Sequence, residues 1–293
     1  MRFALVTPSY YVDLEPCRLL CESVARFVPQ RIPHYLIVDR ADVTLFAPLA
    51  TSRTRIVTKE DVLEGRLWQV PFRRRWWLTR RGIPVRGWIA QQMVKLLASN
   101  VVSEDVLTFV DSGNLFVRPF DPAVFAHGER VRMYREEGDY YRNDTTRRWA
   151  ALSSRLIGIR PPADYPVGYV SPLISWRRDN LVRLREHVER VSGRPMLDSL
   201  AGLRTLSEYY LYGMYSDLIL GDRAGHYADA VERTLSYWGR TPLDELGLRE
   251  FRGRLRPDHL LMYVDEKSRT PRDLVRRLLL DTTDSPRDVS AVA

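Results

Sequence analysis

The sequence predicts an α/β fold built on a mostly parallel central sheet that is flanked by helices. Two short apolar runs, Arg2–Thr7 and His34–Val38, flank Leu14–Val28, in which apolar residues recur at helical spacing. Further along, Val106–Val110 is almost entirely apolar, as is typical of a strand that is buried on both faces. Alternation of strand, helix and strand favours parallel strands joined by crossover helices.

The elements of the first half follow from the same patterns. After the second strand, Ala41–Leu49 is a short helical segment and Arg53–Val57 is a third strand. Gly87–Val101 is predicted as a strong helix, because one stripe of it carries Trp88, Ile89, Met93, Leu96 and Leu97. Gln91 and Lys95 are four residues apart and share a face of that helix.

In the second half, Arg130–Tyr134 is predicted as a strand and Glu136–Arg148 as a flexible polar loop over a cleft. Helices are expected at Trp149–Ile159 and Arg177–Ser192. Val167–Trp176 is strand-like but contains a proline, which favours an edge strand or a bend.

Towards the end of the chain, Ser207 is a suitable N-cap that places Glu208 in the first turn of a helix. Tyr227–Trp238 and Leu243–Arg252 are less regular. His259–Val264 is predicted as the last strand and Thr270–Leu280 as a basic helix. We expect one domain over 1–280, with a nucleotide-binding half (1–118) and an acceptor half (119–280), and a disordered tail at 281–293.

Composition limits the class of protein. The 293 residues carry a net charge of +8, mostly through arginine, which suits a polyanion, a phosphorylated substrate or an anionic membrane surface. No stretch approaches the length of a membrane span, and the N-terminus lacks the features of a secretory signal. Cys17 and Cys21, four apart in a predicted helix, are interpreted as core positions in a reducing cytoplasm.

Leu67–Arg86 interleaves tryptophan with arginine, and three interpretations stay open. The segment can stack on bases or sugars while pairing with phosphates. It can be a solvated basic loop whose tryptophans pack back on the domain. It can also contact a membrane surface, since tryptophan and arginine suit lipid headgroups.

Asp111 is the first candidate site residue, because it directly follows the apolar strand Val106–Val110. Ligands of open α/β sheets bind at the carboxyl ends of the strands, so this carboxylate is expected to open into a cleft. The alternative is an aspartate that caps a turn. No GxGxxG follows the first strand and no GxxxxGK[ST] occurs, which disfavours common dinucleotide-binding folds and P-loop NTPases.

Taken together, these motifs resemble the GT-A-fold glycosyltransferases, and most closely a poorly characterised bacterial group of GT-A-like proteins. The motifs that carry the resemblance are Thr7-Pro8-Ser9-Tyr10, Asp39 after the second strand, Gln91-Gln92 and Lys95 on one helix, Asp111-Ser112-Gly113-Asn114, and Ser207-Glu208-Tyr209. The resemblance implies a GT-A-like, Rossmann-like sheet and a nucleotide-sugar donor, usually a UDP- or GDP-sugar.

The resemblance also implies roles for individual residues. Those expected to bind the donor are Thr7, Ser9, Tyr10, Asp39, Gln91, Lys95 and Ser112. Asp111 corresponds to the first acid of the DxD motif, which holds Mg²⁺ or Mn²⁺ against the diphosphate. Gly113 stands where the second acid is expected, so metal binding is weakened unless Asn114 and His259 complete the site; otherwise basic residues must balance the leaving diphosphate.

The resulting hypothesis is a cytoplasmic glycosyltransferase that transfers a sugar from a nucleotide-sugar to an acceptor, which the basic loop suggests is acidic or phosphorylated. Glu208 is the candidate base for an inverting reaction, with Asp111 as the second catalytic residue; a retaining reaction would not need that base. The Trp76-Trp77 and Tyr140-Tyr141 segments are expected to close over the sugar.

The rival hypothesis is a non-catalytic GT-A-like protein that binds a polyanion through Leu67–Arg86. Nucleotidyl transfer is disfavoured because the glycine-rich, lysine-containing loop is missing after the first strand. Peripheral membrane contact is compatible with either hypothesis, whereas nucleic acid is disfavoured as a partner of the enzyme. The sequence leaves the donor sugar, the acceptor, the stereochemistry and the oligomeric state open.

Overall fold

The computed structural model describes residues 1–279, and the predicted tail at 281–293 lies outside them. The strands are β1 (Phe3–Pro8), β2 (His34–Val38), β3 (Thr54–Thr58), β4 (Leu67–Gln69), β5 (Trp76–Thr79), β6 (Pro84–Arg86), β7 (Val106–Val110), β8 (Asn114–Phe116), β9 (Ala126–His127), β10 (Arg130–Tyr134), β11 (Glu136–Glu137), β12 (Val167–Gly168), β13 (Leu173–Arg177), β14 (His226–Asp229), β15 (Thr234–Tyr237) and β16 (Leu261–Val264). The α-helices are α1 (Leu14–Phe27), α2 (Val43–Phe46), α3 (Lys59–Val62), α4 (Gly87–Leu97), α5 (Asp144–Leu156), α6 (Arg178–Ser192), α7 (Met196–Leu200), α8 (Glu208–Tyr215), α9 (Glu245–Gly253) and α10 (Arg272–Leu279).

The central sheet has the strand order β13-β7-β1-β2-β3. Strands β7, β1, β2 and β3 are parallel to one another. Strand β13 forms one edge of the sheet and is antiparallel to β7. The predicted α/β class, a mostly parallel sheet flanked by helices, is therefore confirmed. The proline-containing segment is also as expected, because Pro172 lies between β12 and β13, and β13 is an edge strand.

Both faces of the central sheet are covered, which explains why its strands are apolar at successive positions. In β1, Ala4 and Val6 pack in the cluster that contains the buried stripe of α4. Phe3 and Leu5 point the other way and pack in the cluster that contains Leu20 of α1. All five residues of β7 are buried between these two layers. The sheet is thus a rigid support whose carboxyl edge stays accessible.

Smaller sheets surround that edge. Strands β15, β16 and β8 form one three-stranded sheet, and β14, β10 and β9 form another. The predicted loop at Glu136–Arg148 is wrong in part, because it contains β11 and a 3₁₀ turn and α5 already begins at Asp144, capped by the side chain of Asn143. The hydrogen bonds of the Asn143 cap stabilise the start of α5, although the segment is polar in composition.

The arginine- and tryptophan-rich segment is not a loop. Strands β4, β5 and β6 form an antiparallel meander in which Leu67, Trp77 and Val85 are buried on the inner face. Trp76 and Trp68 lie on the outer face and are exposed. Successive side chains of a strand point to opposite faces, so the two adjacent tryptophans are separated. The expectation that Trp76-Trp77 closes over a sugar is therefore wrong, because Trp77 is a core residue.

The two faces of the meander can be distinguished by substitution. Trp77→Ala should lower the free energy of unfolding by about 3–5 kcal/mol, because it leaves a cavity in the core. Trp76→Ala is the matched control and should lower it clearly less, because Trp76 lies on the outer face and is 37% exposed. Denaturant unfolding of both variants measures the difference; equal effects would contradict the two-faced sheet.

Candidate active site

A large cleft opens at the carboxyl edge of the central sheet, where the sequence placed the candidate site. Its volume is about 1100 Å³, and Asp111 and Ser112 line it directly after β7. A smaller recess of about 160 Å³ adjoins it and is lined by Lys95 and Glu208. Since Asp111 lines both cavities and its side chain is 40% exposed, the expected open carboxylate is present at the strand end.

A buried lysine joins two carboxylates between these cavities. Lys95 Nζ lies 3.0 Å from Asp111 Oδ1 and 3.2 Å from Glu208 Oε1. It also donates a hydrogen bond to the Tyr209 hydroxyl at 3.1 Å. Burial costs a single ammonium group much free energy, and two carboxylates with a phenol oxygen satisfy its three donors. We call this group the Lys95 triad, defined as Lys95, Asp111 and Glu208.

Three separate elements position the triad. Lys95 projects from the buried face of α4, and Asp111 directly follows β7. Glu208 begins α8, where the Ser207 hydroxyl accepts the Tyr210 backbone N–H, so the predicted N-cap is confirmed. The parallel sheet brings the helix and the strand to one edge, and the cap directs the first turn of α8 towards them.

The surroundings of the triad shift the pKa values of Lys95 and Glu208. Burial by itself lowers the pKa of Lys95, but the charges of Asp111, Tyr209 and Glu208 outweigh burial and raise that pKa well above its usual value. Burial raises the pKa of Glu208, and Lys95 only partly opposes this rise. Glu208 is therefore a buried carboxylate that takes up a proton more readily than an ordinary glutamate.

A second acidic pair lies on the same cleft. Burial, together with the nearby carboxylate of Glu266, raises the pKa of Asp13 to about 7. The Ser112 hydroxyl donates a hydrogen bond to Asp13 at 3.2 Å. In all, five carboxylates line the large cleft within the part of the chain that the structure describes: Asp13, Asp111, Glu232, Asp265 and Glu266. Lys267 is the basic residue among its lining side chains.

Close packing explains why a glycine follows Ser112. A Cβ atom at Gly113 would lie 2.8 Å from Cε2 of Tyr263, which is closer than carbon atoms approach without displacement. Tyr263 belongs to β16 and packs against Trp238 with ring centroids 4.6 Å apart. The aromatic wall of the cleft therefore occupies the space that an acid side chain at position 113 would need.

The three predicted metal ligands are not all brought together, because Asp111 and Asn114 line the cleft and His259 does not. Asn114 lines the cleft, and its amide nitrogen donates to the Asp111 carbonyl at 3.0 Å. His259 does not line the cleft; it lies before β16, near the opposite end of that strand, where its Nδ1 accepts the Arg256 backbone N–H at 3.1 Å. The antiparallel pairing of β16 with β8 places Tyr263, not His259, opposite Asn114. Within residues 1–279, no three His, Cys, Asp or Glu side chains are grouped to hold a metal ion.

The residues predicted to bind the donor divide into two groups. Those that line a cavity are Tyr10, Gln91, Lys95 and Ser112. Those that do not are Thr7, Ser9 and Asp39. Thr7 is buried and its hydroxyl bonds to His34 at 2.9 Å, while Asp39 forms a buried ion pair with Lys59 at 2.8 Å. Both side chains are already satisfied within the protein.

Some lining residues were missed from the sequence. Asp265 directly follows β16, so the rule that selected Asp111 after β7 would also have selected it. Trp149 and Glu232 also line the cleft. They carry no comparable signal, because they are brought to it from distant parts of the chain by tertiary packing. Of the aromatic pairs expected at the site, Tyr140 and Tyr141 do line the cleft.

Residues 4–235 match a family that is described as a family of unknown function (DUF6492). The chain belongs to the DUF6492 family. No curated protein matches this DUF6492 member in sequence. In residues 1–279 of the chain, no helix has the length and the apolar character that crossing a bilayer requires.

Solved structures that align with this DUF6492 member include three glycosyltransferases. The galactosyltransferase LgtC, in complex with donor and acceptor sugar analogs, is 12% identical with a TM-score of 0.45, over 89% of this chain and 86% of that chain. The bifunctional glycosyltransferase WbbM is 10% identical with a TM-score of 0.47, over 89% and 45%. Mouse xyloside xylosyltransferase 1 is 11% identical with a TM-score of 0.46, over 92% and 100%. Likeness at this level does not establish an activity.

Replacing the buried lysine tests the electrostatics of the triad. Lys95→Met should lower the free energy of unfolding by about 3 kcal/mol at pH 8, because it leaves two carboxylates without their cation. Because the pKa of Glu208 is raised in the folded protein, the stability that its protonated form provides is present at low pH and is lost as pH rises. The loss of stability in Lys95→Met should therefore be smaller at pH 5 than at pH 8.

Thermal unfolding of wild type and variant at both pH values measures this effect. Lys267→Met is the matched control, since Lys267 is exposed and forms no ion pair within residues 1–279. A deficit of equal size at pH 5 and pH 8 would show that lost packing, not charge, causes it.

Proposed function

We propose that this DUF6492 member is a cytoplasmic glycosyltransferase that uses a UDP- or GDP-sugar as donor. The observation that carries the proposal is the Lys95 triad at the carboxyl edge of the parallel sheet. It presents one carboxylate, Asp111, to the large cleft and holds a second, Glu208, in the adjoining recess. The free thiols of Cys17 and Cys21 agree with a reducing compartment.

The two connected cavities suit a reaction between two substrates. The large cleft has room for a nucleotide-sugar, and aromatic rings such as Trp88, Trp149 and Tyr209 lie where the two cavities meet. Aromatic faces pack well against the C–H surface of a sugar ring, and a dry, shaped site holds the reacting atoms together. The recess beside Glu208 would then receive the acceptor hydroxyl.

Glu208 has the properties of a general base for that hydroxyl. Its raised pKa brings it closer to neutral pH, where a base transfers protons most effectively. The charge of Lys95 favours its ionised form, and the contact of 3.2 Å fixes the direction of the carboxylate. This role applies to an inverting reaction; in a retaining one, Glu208 would serve to hold Lys95 in place.

The donor diphosphate needs positive charge to balance it, and the side chains of the cleft provide little. Within residues 1–279, five carboxylates and one exposed lysine line the cleft, so it would repel a bare diphosphate or an acidic acceptor. Mg²⁺ and Mn²⁺ often bind through one or two carboxylates together with substrate phosphates. Asp111 and the Asn114 amide oxygen, which is buried without a hydrogen-bond partner in residues 1–279, fit such a shared ion.

In this proposal the divalent ion arrives with the nucleotide, and His259 takes no part in holding it. The ion would balance the charge of the diphosphate leaving group. The division of the chain into a nucleotide-binding half (1–118) and an acceptor half (119–280) is part of this proposal, in which Asp111 comes from the first half and Glu208 from the second.

Calorimetry with UDP and GDP, each with and without Mn²⁺, tests donor binding. We expect one of them to bind, and Mn²⁺ to tighten binding at least about tenfold, or about 1.4 kcal/mol. Asp111→Asn should remove most of the Mn²⁺ effect, whereas Asp39→Asn, at a buried ion pair outside the cleft, should keep it. If neither nucleotide binds under any condition, the proposed function is wrong.

Turnover of the variant Glu208→Gln tests the base. Glutamine still accepts a hydrogen bond from Lys95 but cannot take the proton, so we expect at least a tenfold loss of turnover, or about 1.4 kcal/mol of barrier, with donor affinity kept. Release of nucleoside diphosphate from the donor measures the rate. Glu186→Gln, at an exposed position of α6, is the control. Unchanged turnover in Glu208→Gln would remove Glu208 from the mechanism.

A further inference from the structure

The meander of β4, β5 and β6 carries an excess of positive charge that the active site does not use. Between residues 65 and 103 the sequence contains no Asp or Glu, while residues 66–86 contain seven arginines. None of the seven lines the large cleft, although Arg75 is near enough to Tyr10 at its wall for its charge to act on that side chain. This concentration of charge therefore calls for a separate explanation.

The outer face of the meander is apolar as well as exposed. Trp68, Leu78 and Pro84 lie side by side across the three strands, and Trp76 lies in the next row opposite Arg86. Trp68 is 43% exposed and Trp76 is 37% exposed. The apolar residues of the inner face pack in the core of the protein, so these exposed tryptophans are additional to it.

Within residues 1–279, most of the arginines in and beside the meander have no partner of opposite charge. Those that form no ion pair within residues 1–279 are Arg73, Arg75, Arg80, Arg81 and Arg86. Arg74 differs from them, since it pairs with Asp42 and lies over the ring of Tyr11. An apolar centre with a rim of unpaired guanidinium groups is complementary to a surface that has phosphates outside and hydrocarbon beneath.

Phe72 projects from the loop between β4 and β5. Its side chain is fully exposed, and its backbone has a φ of 61°. A left-handed φ is unfavourable for a bulky residue, and nothing in residues 1–279 packs on this ring to compensate. Both facts indicate that the ring is placed for contact with something outside the protein.

We infer that the outer face of the β4–β6 meander docks on an anionic lipid surface, with Phe72 inserted among the acyl chains and the surrounding arginines on lipid phosphates. Tryptophan and arginine are typical of the interfacial layer of a membrane, and each basic residue near an anionic leaflet adds to the attraction. This inference goes beyond the proposed function and does not depend on it.

Nucleic acid is the other polyanion that arginine and tryptophan can bind, but the geometry favours lipid. Single-stranded nucleic acid is held in a groove that follows its backbone, with bases stacked on aromatic rings. Here the aromatic side chains lie on a projecting sheet, with Leu78 and Pro84 between them and Phe72 at its end. An apolar side chain such as Phe72 can insert among the acyl chains of a lipid layer. A single strand has no stacked base pairs between which it could insert.

The meander also adjoins the active site. β6 ends at Arg86 and α4 begins at Gly87, so Trp88 follows within two residues of the meander and lines both cavities. Docking through the outer face would therefore hold the cleft close to the membrane surface. An acceptor presented at that surface would reach the site without leaving the membrane.

Co-sedimentation of the full-length protein with vesicles tests this inference. One set of vesicles is phosphatidylcholine, and the other is phosphatidylcholine and phosphatidylglycerol in equal parts. We expect binding to the anionic vesicles, weakened by added salt, and none to the neutral ones. Binding to neither set, or equal binding to both, overturns the inference.

Variants separate insertion from general charge attraction. Phe72→Ser should lower the partition coefficient about tenfold through lost apolar burial, whereas Leu246→Ser, at an exposed leucine of α9, should leave it unchanged. Arg80→Glu with Arg81→Glu should lower it at least about tenfold. Arg31→Glu with Arg160→Glu makes the same change of net charge at exposed sites elsewhere and should have a clearly smaller effect.

A single-stranded DNA oligonucleotide provides the competing outcome. If it binds more tightly than the anionic vesicles do, and Phe72→Ser affects neither interaction, the surface is assigned to nucleic acid and the inference is wrong. The vesicle assay contains no nucleotide, so its failure leaves donor binding measured by calorimetry untouched. Loss of donor binding would likewise leave vesicle binding untouched.

Discussion

The buried ammonium group of Lys95 is the constraint on which the candidate site depends. An isolated charge in this position would be strongly destabilising, so Asp111 and Glu208 must both face it. That requirement fixes the end of β7, the first turn of α8 and the inner face of α4 relative to one another. It also places two carboxyl groups beside one amine at the junction of two cavities. The contacts that stabilise the buried charge are therefore the same contacts that place the two carboxyl groups at the candidate site.

The absence of an acid at position 113 has a packing explanation. Tyr263 from β16 fills the space beside Gly113, and its ring forms part of the cleft wall with Trp238. The same strand brings Asp265 to the cleft at its carboxyl end. Acidic groups therefore surround the cleft from several elements and do not cluster in one short motif. A divalent ion held jointly by Asp111, Asn114 and a bound diphosphate is compatible with that distribution of charge.

The molecule separates its charges in space. Carboxylates line the cleft, whereas unpaired arginines lie on the outer face of the meander next to it. A net charge of +8 therefore says little about the ligand of the cleft, because the excess is located elsewhere. The basic segment suggested an acidic acceptor when it was read from sequence alone. In the inference drawn above, the same segment is a surface that docks on anionic lipid.

The sequence by itself determined the α/β class, most of the central strands and helices, the N-cap at Ser207 and the strand-end position of Asp111. These follow from local periodicity and capping, which depend on neighbours in the chain. Tertiary structure alone decided that Lys95 pairs with Glu208, that Trp77 is buried while Trp76 is exposed, and that His259 is remote from Asp111. The positions of the tryptophans and of His259 depend on which strands pair and in which register, because a shift of one residue turns every side chain of a strand to the other face. The pairing of Lys95 with Glu208 depends on how the helices α4 and α8 pack against each other. Register is set by the packing of the whole chain, and no short stretch of sequence contains it.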